Sequence, residues 1–212
     1  MTTETMNKLQ MTEKNLIKNM KRLDIQSEYR QEILKHAYTD GVSTYTTDSH
    51  RALKINEVVS NELVKENTEH AERIEKLMEE PSNYIEFTLS RDDMNTLRKL
   101  TKYVSSVDGK LKIKYYSLDN IQKLTIGMSE DPLYDLQVSM RIANFGNYRL
   151  NYPEHSYTTT LNAKYVTDIL DFAWDNKEQG VIFKLNESNM RPSHVQALSG
   201  DFDYIVLPMR TY

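Results

Sequence analysis

The sequence predicts an α+β protein of repeated units, each one strand, one helix and three strands, about three half-domain units in all, with helices on one face of antiparallel sheets. Three observations predict it. Three segments share the order of a short β-type run, an N-capped amphipathic helix and several strand-like stretches parted by turn residues. The order recurs about every 55 to 70 residues. Asp-Gly pairs at Asp40-Gly41 and Asp108-Gly109 supply the φ > 0 residues that tight connections need.

The first unit has a helix after Thr12, with Leu16, Ile17, Met20 and Leu23 on one face. Strand-like stretches follow near 29–38, 42–47 and 51–56. In the second unit Ile85–Leu89 reads as a strand. Ser90 caps a helix that buries Met94, Leu97, Leu100 and Val104, with Asp93 placed for a capping box. Lys110–Tyr116, Ile121–Met128 and 133–145 then read as strands. In the third, Tyr157–Leu161 leads into an Asn162-capped helix carrying Tyr165, Val166, Ile169, Leu170 and Ala173, followed by strands at 180–185, 193–199 and 203–208. Residues 57–80 break the pattern. Eight glutamates there surround a discontinuous stripe of Val59, Leu63, Ile74, Leu77 and Met78, which predicts a charged amphipathic helix ended by Pro81. It reads as a solvated helix along the domain edge, with a partner-binding or DNA-mimicking element as the sharper alternative.

Composition narrows the function classes. A chain of 212 residues with 39% apolar content can fill a sizeable core. No apolar run approaches the roughly 20 residues that span a bilayer, and no secretory leader is visible, so a soluble cytoplasmic protein with no membrane partner is expected. Zero cysteines exclude disulfides and thiolate metal sites. A net charge of −4 argues against coating DNA by bulk charge, although positive charge can still gather on one surface. Abundant Asn, Lys and Tyr with few Gly and Pro point to an AT-rich genome, such as that of a low-GC bacterium or its phage.

Catalysis finds no support in the sequence. Six glycines leave no phosphate-cradling loop, and His36, His50, His70, His155 and His194 lack metal-ligand spacing, so neither cofactor nor metal is expected. Asp48 and His50 alternate on a presumed strand, but without an identifiable nucleophile they read as a turn network.

Two strings carry a resemblance. Thr47-Asp48-Ser49-His50-Arg51-Ala52-Leu53 and the terminal Asp203-Tyr204-Ile205-Val206-Leu207-Pro208-Met209-Arg210 resemble, in this order, the two halves of the protein-binding pocket of bacterial DNA sliding clamps, the β subunit of the replicative polymerase. In that family a Thr-Asp-Gly/Ser-His-Arg-Leu segment and a C-terminal Met-Pro-Met-Arg segment receive short peptide motifs. Arg30-Gln31-Glu32-Ile33-Leu34 and Phe145-Gly146-Asn147-Tyr148-Arg149-Leu150-Asn151-Tyr152-Pro153 are similar to stretches of the family's middle domain, and Thr160–Leu170 resembles the opening of its final half-domain. Ala52 stands where the family has Leu, and Leu207 where it has Met.

The resemblance implies a reduced clamp homologue. A clamp-like domain would occupy 1–153 and a C-terminal half-domain 154–212. The second unit matches the first half of the C-terminal domain as well, which leaves the register open. Peptide-binding residues would be Thr47, Ser49, His50, Arg51, Leu53, Pro153, Ile205, Leu207, Pro208, Met209 and Arg210, the apolar ones forming a floor and His50, Arg51 and Arg210 a rim. Clamp helices line a DNA channel, so Lys14, Lys18, Lys21, Arg22, Arg91, Arg98 and Lys102 become phosphate contacts for double-stranded DNA. The implied function is a processivity or recruitment factor in DNA replication that binds the clamp-binding motifs of polymerase and clamp-loader proteins. The alternatives are a clamp-mimicking regulator of a host replisome, which binds the host clamp, its loader or its polymerase without encircling DNA, and a structural protein that borrowed the fold. Family rings hold twelve repeats, so three per chain would close as a homo-oligomer of four, whereas the odd number of repeats, which makes the boundaries unlike those of ordinary clamps, points to a dimer or a monomer.

Overall fold

A computed structural model describes residues 13–19, 31–59, 62, 64–79, 84–118, 121–128, 138–140, 155–186 and 190–210. Helix α1 spans 13–19 and buries Leu16. Strands β1 (Ala37–Thr39), β2 (Thr44–Thr47) and β3 (Arg51–Ile55) complete the first unit. Next come β4 (Val64–Glu66) and α2 (Thr68–Leu77). The second unit is β5 (Tyr84–Ser90), α3 (Arg91–Val107), β6 (Lys110–Leu118), β7 (Ile121–Met128) and β8 (Val138–Met140). The third is β9 (His155–Asn162), α4 (Ala163–Asp175), β10 (Gly180–Asn186), β11 (Ser193–Ala197) and β12 (Phe202–Val206). The repeat of strand, helix and three strands is present in the second and third units, as the sequence predicts.

Local chemistry explains the helix ends. The Ser90 hydroxyl accepts from the Asp93 amide while the Asp93 carboxylate accepts from the Ser90 amide, which closes the expected capping box. The Asn162 side chain accepts from the Lys164 amide. At the other end of α3 the Asp108 and Gly109 amides both donate to the Val104 carbonyl, and Gly109 takes φ +73°, so the chain reverses into β6 without a Cβ clash.

The strands form an eight-stranded sheet in the order β4-β1-β2-β3-β12-β11-β10-β5 and a four-stranded sheet β8-β7-β6-β9. The second and third units exchange their first strands: β5 pairs antiparallel with β10, and β9 with β6. The expected division at 153/154 therefore falls between strands that share a sheet. The first unit joins through β3, which pairs antiparallel with β12 and makes one sheet of the first and third units. Alternation sends Leu53, Ile55, Phe202, Tyr204, Val195, Phe183 and Phe87 into one core with α3 and α4. Phe87 and Phe183 stack with centroids 5.2 Å apart.

Two stretches differ from expectation. Among the described residues of 29–38 the strand begins only at Ala37, because Glu32–Leu34 form a 3-10 turn in which the Leu34 and Lys35 amides donate to the Gln31 and Glu32 carbonyls. Glu32 also pairs with Lys35 and His36, at the i,i+3 and i,i+4 spacings that favour a turn. Residues 57–80 are not one helix. Val64–Glu66 pairs parallel with β1, and α2 starts only after Asn67, whose side chain accepts from the His70 amide. Ala71, Ile74 and Met78 then pack on Tyr45, Ala52 and Ile205, on the face of the large sheet opposite the main core. Val59 joins the main core and Leu77 stays exposed, so the proposed stripe is split; Leu63 lies outside the described residues.

Burial makes α2 pH-sensitive. His70 sits edge-on to Tyr38 with ring centroids 4.5 Å apart, and neither ring nitrogen has a hydrogen-bond partner. Burial, aided by the Arg73 charge, pushes the imidazole below its ordinary value of 6.5. The unfolded chain then takes up the proton first, so the stabilisation is complete above pH 6.5 and is lost as pH falls from there toward the folded value. The urea midpoint of the wild type should drop between pH 7.5 and 5.5 by more than that of His70→Phe; equal drops would remove His70 as the cause.

Candidate functional site

The β2–β3 connection is built by Thr47, Asp48 and Arg51. The Asp48 carboxylate accepts from the His50 and Arg51 amides at 3.0 and 3.1 Å. The Thr47 hydroxyl donates to the Arg51 carbonyl and accepts from the Ser49 amide. This turn forces Ser49 to φ +76°, a left-handed conformation that a small polar residue tolerates.

Arg51 occupies the inner face of the sheet. Its Nε donates to Asp48 at 2.9 Å and its Nη1 to Asp168 of α4 at 2.6 Å, and the guanidinium lies 4.2 Å from the centre of the Tyr165 ring. Burial opposes its charge, but the Tyr204 phenol and the carboxylates of Asp168 and Asp48 outweigh burial and hold Arg51 protonated. The side chain is only 2% exposed, so Arg51 meets the cavity without offering its charge at the rim. It ties the first unit to α4.

On the opposite face a cavity of about 440 Å³ opens beside this turn. It brings together Thr47, Ser49, His50, Arg51, Ile205 and Leu207, all expected from the sequence, and draws them from near both ends of the chain. The Leu207 amide donates to the His50 carbonyl at 2.9 Å, which fixes the two halves to each other. Ile205 and Ala52 stand opposite each other in the β12–β3 ladder and form the floor, with Leu207 39% exposed at the edge. A floor of this kind suits an inserted apolar side chain, and polar groups around it can orient the backbone of a bound chain.

Other expected members lie elsewhere. Leu53 is in the main core, because successive residues of β3 point to opposite faces and it is Ala52 that meets the cavity. Pro208 and Met209 are half-buried and Arg210 is exposed, all off the cavity lining. Proline has no amide to continue the β12 ladder, and the Met209 amide donates instead to the Thr160 carbonyl of β9 at 2.7 Å, which draws the segment away. Pro153 lies outside the described residues. Sequence reasoning missed Lys76, Leu77 and Glu79 from the end of α2, and Asn186, Arg191, Pro192 and His194 from around the β10–β11 connection. The available signal was Leu77, an apolar residue set between Lys76 and Glu79 at the end of the glutamate-rich stretch.

The cations expected to contact DNA are mostly engaged within the protein. Lys18 pairs with Asp175 at 2.6 Å, while Arg98 and Lys102 pair with Asp171 at 3.2 and 2.9 Å. Arg91 donates to the Glu178 carbonyl, and its guanidinium and that of Arg98 lie 4.1 and 4.6 Å from the centre of the Trp174 ring. Lys14 is exposed, and Lys21 and Arg22 lie outside the described residues. Among the described residues no group of three or more His, Asp or Glu could hold a metal, and no helix is long and apolar enough to cross a membrane.

No family model matches this chain, and no curated protein matches it in sequence. Its fold is that of the bacterial DNA sliding clamps. The chain is similar to the β subunit of DNA polymerase from Streptococcus pyogenes, with a TM-score of 0.55 and 11% identity over 92% of this chain and 64% of that one. It is similar to the DNA polymerase sliding clamp of Pseudomonas aeruginosa, with a TM-score of 0.57 and 13% identity over 91% and 64% of the two chains. It is also similar to DNA polymerase III subunit β from Borrelia burgdorferi, solved in complex with a natural product, with a TM-score of 0.58 and 12% identity over 96% and 63%. The chain spans slightly less than two thirds of the length of these proteins.

Proposed function

We propose that this chain is a sliding-clamp-like replication factor that holds the clamp-binding peptide motifs of polymerase or loader proteins in the cavity between the β2–β3 turn and β12. The observation that carries the reading is that Thr47, Ser49 and His50 meet Ile205 and Leu207 around one apolar-floored cavity on a clamp fold. We further read β5 to β12 as one complete clamp-like domain preceded by a half-domain, since the two units exchange strands in both sheets.

Calorimetric titration with a peptide of the type Gln-x-x-Leu-x-Phe should give a Kd on the order of micromolar. Leu207→Ala should weaken it about fivefold through lost apolar contact, whereas Met209→Ala, off the cavity, should leave it nearly unchanged. Absence of binding across a panel of such peptides would reject the pocket.

The regulator that does not encircle DNA is the second reading. The ion pairs of Lys18, Arg98 and Lys102 with the α4 aspartates favour it, because a paired cation has less to offer a phosphate. So does β4, which fills the outer edge of β1. Duplex DNA binding at low salt that falls when Arg98 and Lys102 are reversed would instead favour the DNA-encircling factor.

A further inference from the structure

The element α2 stands outside the strand-helix-three-strand repeat, yet it is built into the cavity. Ala71, Ile74 and Met78 pack on Tyr45, Ala52 and Ile205, two of which form the cavity floor. The end of the helix consequently brings Lys76, Leu77 and Glu79 to the lining, and Arg191 and Pro192 come to it from the β10–β11 connection. The Lys54–Glu75 ion pair at 2.8 Å adds a second tie between α2 and the sheet.

The charges of this lining are unequal. Lys76 and Arg191 are exposed and carry no ion pair among the described residues, while Arg51 is already matched by Asp48 and Asp168. Glu79 is the one carboxylate among the lining residues described. The chain as a whole is negative; of the α2 carboxylates beside Lys76, Glu75 is matched by Lys54 while Glu72 lies one turn away, and exposed charges more than about 8–10 Å away are largely screened at physiological salt.

We propose that α2 and the Arg191–Pro192 segment make this pocket selective for peptides that combine an apolar anchor with an acidic flank, the anchor entering over Ala52, Ile205 and Leu207 and the carboxylates meeting Lys76 and Arg191. The inference rests on the peptide-binding reading and deepens it. The occupant is a linear acidic-apolar segment of a partner protein, chosen by charge complementarity with the mouth.

The test compares two fluorescent peptides with the same Leu-x-Phe core, one flanked by two Asp and one by two Asn, titrated into the full chain at low and high salt. The wild type should bind the Asp peptide about fivefold more tightly at low salt, with the advantage shrinking at high salt. In the Lys76→Gln/Arg191→Gln variant the ratio of the two affinities should fall to about one. Equal affinities in the wild type, or an advantage that survives the double substitution, would overturn the proposal and leave the pocket standing. Failure of both peptides to bind would overturn the pocket and the proposal together.

Discussion

Arg51→Ala should destabilise the fold by roughly 3–5 kcal/mol, because it leaves Asp48 and Asp168 facing an empty buried site. With a total stability of about 5–15 kcal/mol, that is a large share. The pair spans two units: Asp48 and Arg51 belong to the β2–β3 turn and Asp168 to α4, 117 residues away in sequence from Arg51. Arg51→Lys should recover only part of the loss, since a lysine has no planar fork to reach both carboxylates and no guanidinium to lie on Tyr165. Urea denaturation followed by Trp174, the single tryptophan, measures both variants. A loss below about 1 kcal/mol for Arg51→Ala would mean that water reaches the site and replaces the guanidinium.

That ion pair marks the limit of what the sequence conveys about the site. The strings around Thr47 and Leu207 locate the cavity, because the turn chemistry is local: Thr47 and Asp48 make their bonds within four residues. The sorting of side chains between the two faces of β3 depends on the phase of a five-residue strand, and there Ala52 and Leu53 exchange roles. Arg51 follows the same alternation into the interior, where α4 supplies a partner that no local pattern announces.

The helices show the same division between local and tertiary information. Ser90, Asn162 and Gly109 were legible because caps and reversals depend on neighbouring atoms. The β4 strand was not, since three residues of a glutamate-rich stretch acquire strand geometry only by pairing with β1. The lysines and arginines of α1 and α3 are legible as cations on amphipathic helices. Their fate is set by Asp171 and Asp175, which α4 brings alongside; the sequence shows these acids on the third unit's helix, but not their partners.

Gly180→Ala tests whether the second and third units fold together. A Cβ at Gly180 would lie 2.3 Å from the carbonyl oxygen of Leu89, a backbone atom of the neighbouring strand β5. Neither side gives way easily. Gly180 is held in register opposite Ser90, the residue that caps α3, and its own carbonyl accepts from the Leu198 amide. Relief therefore requires β5 and β10 to separate at the end where α3 begins, at a cost of about 2–3 kcal/mol. Because β5 and β10 join the two units in one sheet while β6 and β9 join them in the other, the loss should lower a single transition seen alike by Trp174 fluorescence and by far-ultraviolet circular dichroism. Two separated transitions would show instead that the chain divides between residues 153 and 154, and a loss below about 0.5 kcal/mol would show that β5 shifts to admit the methyl group without breaking the ladder.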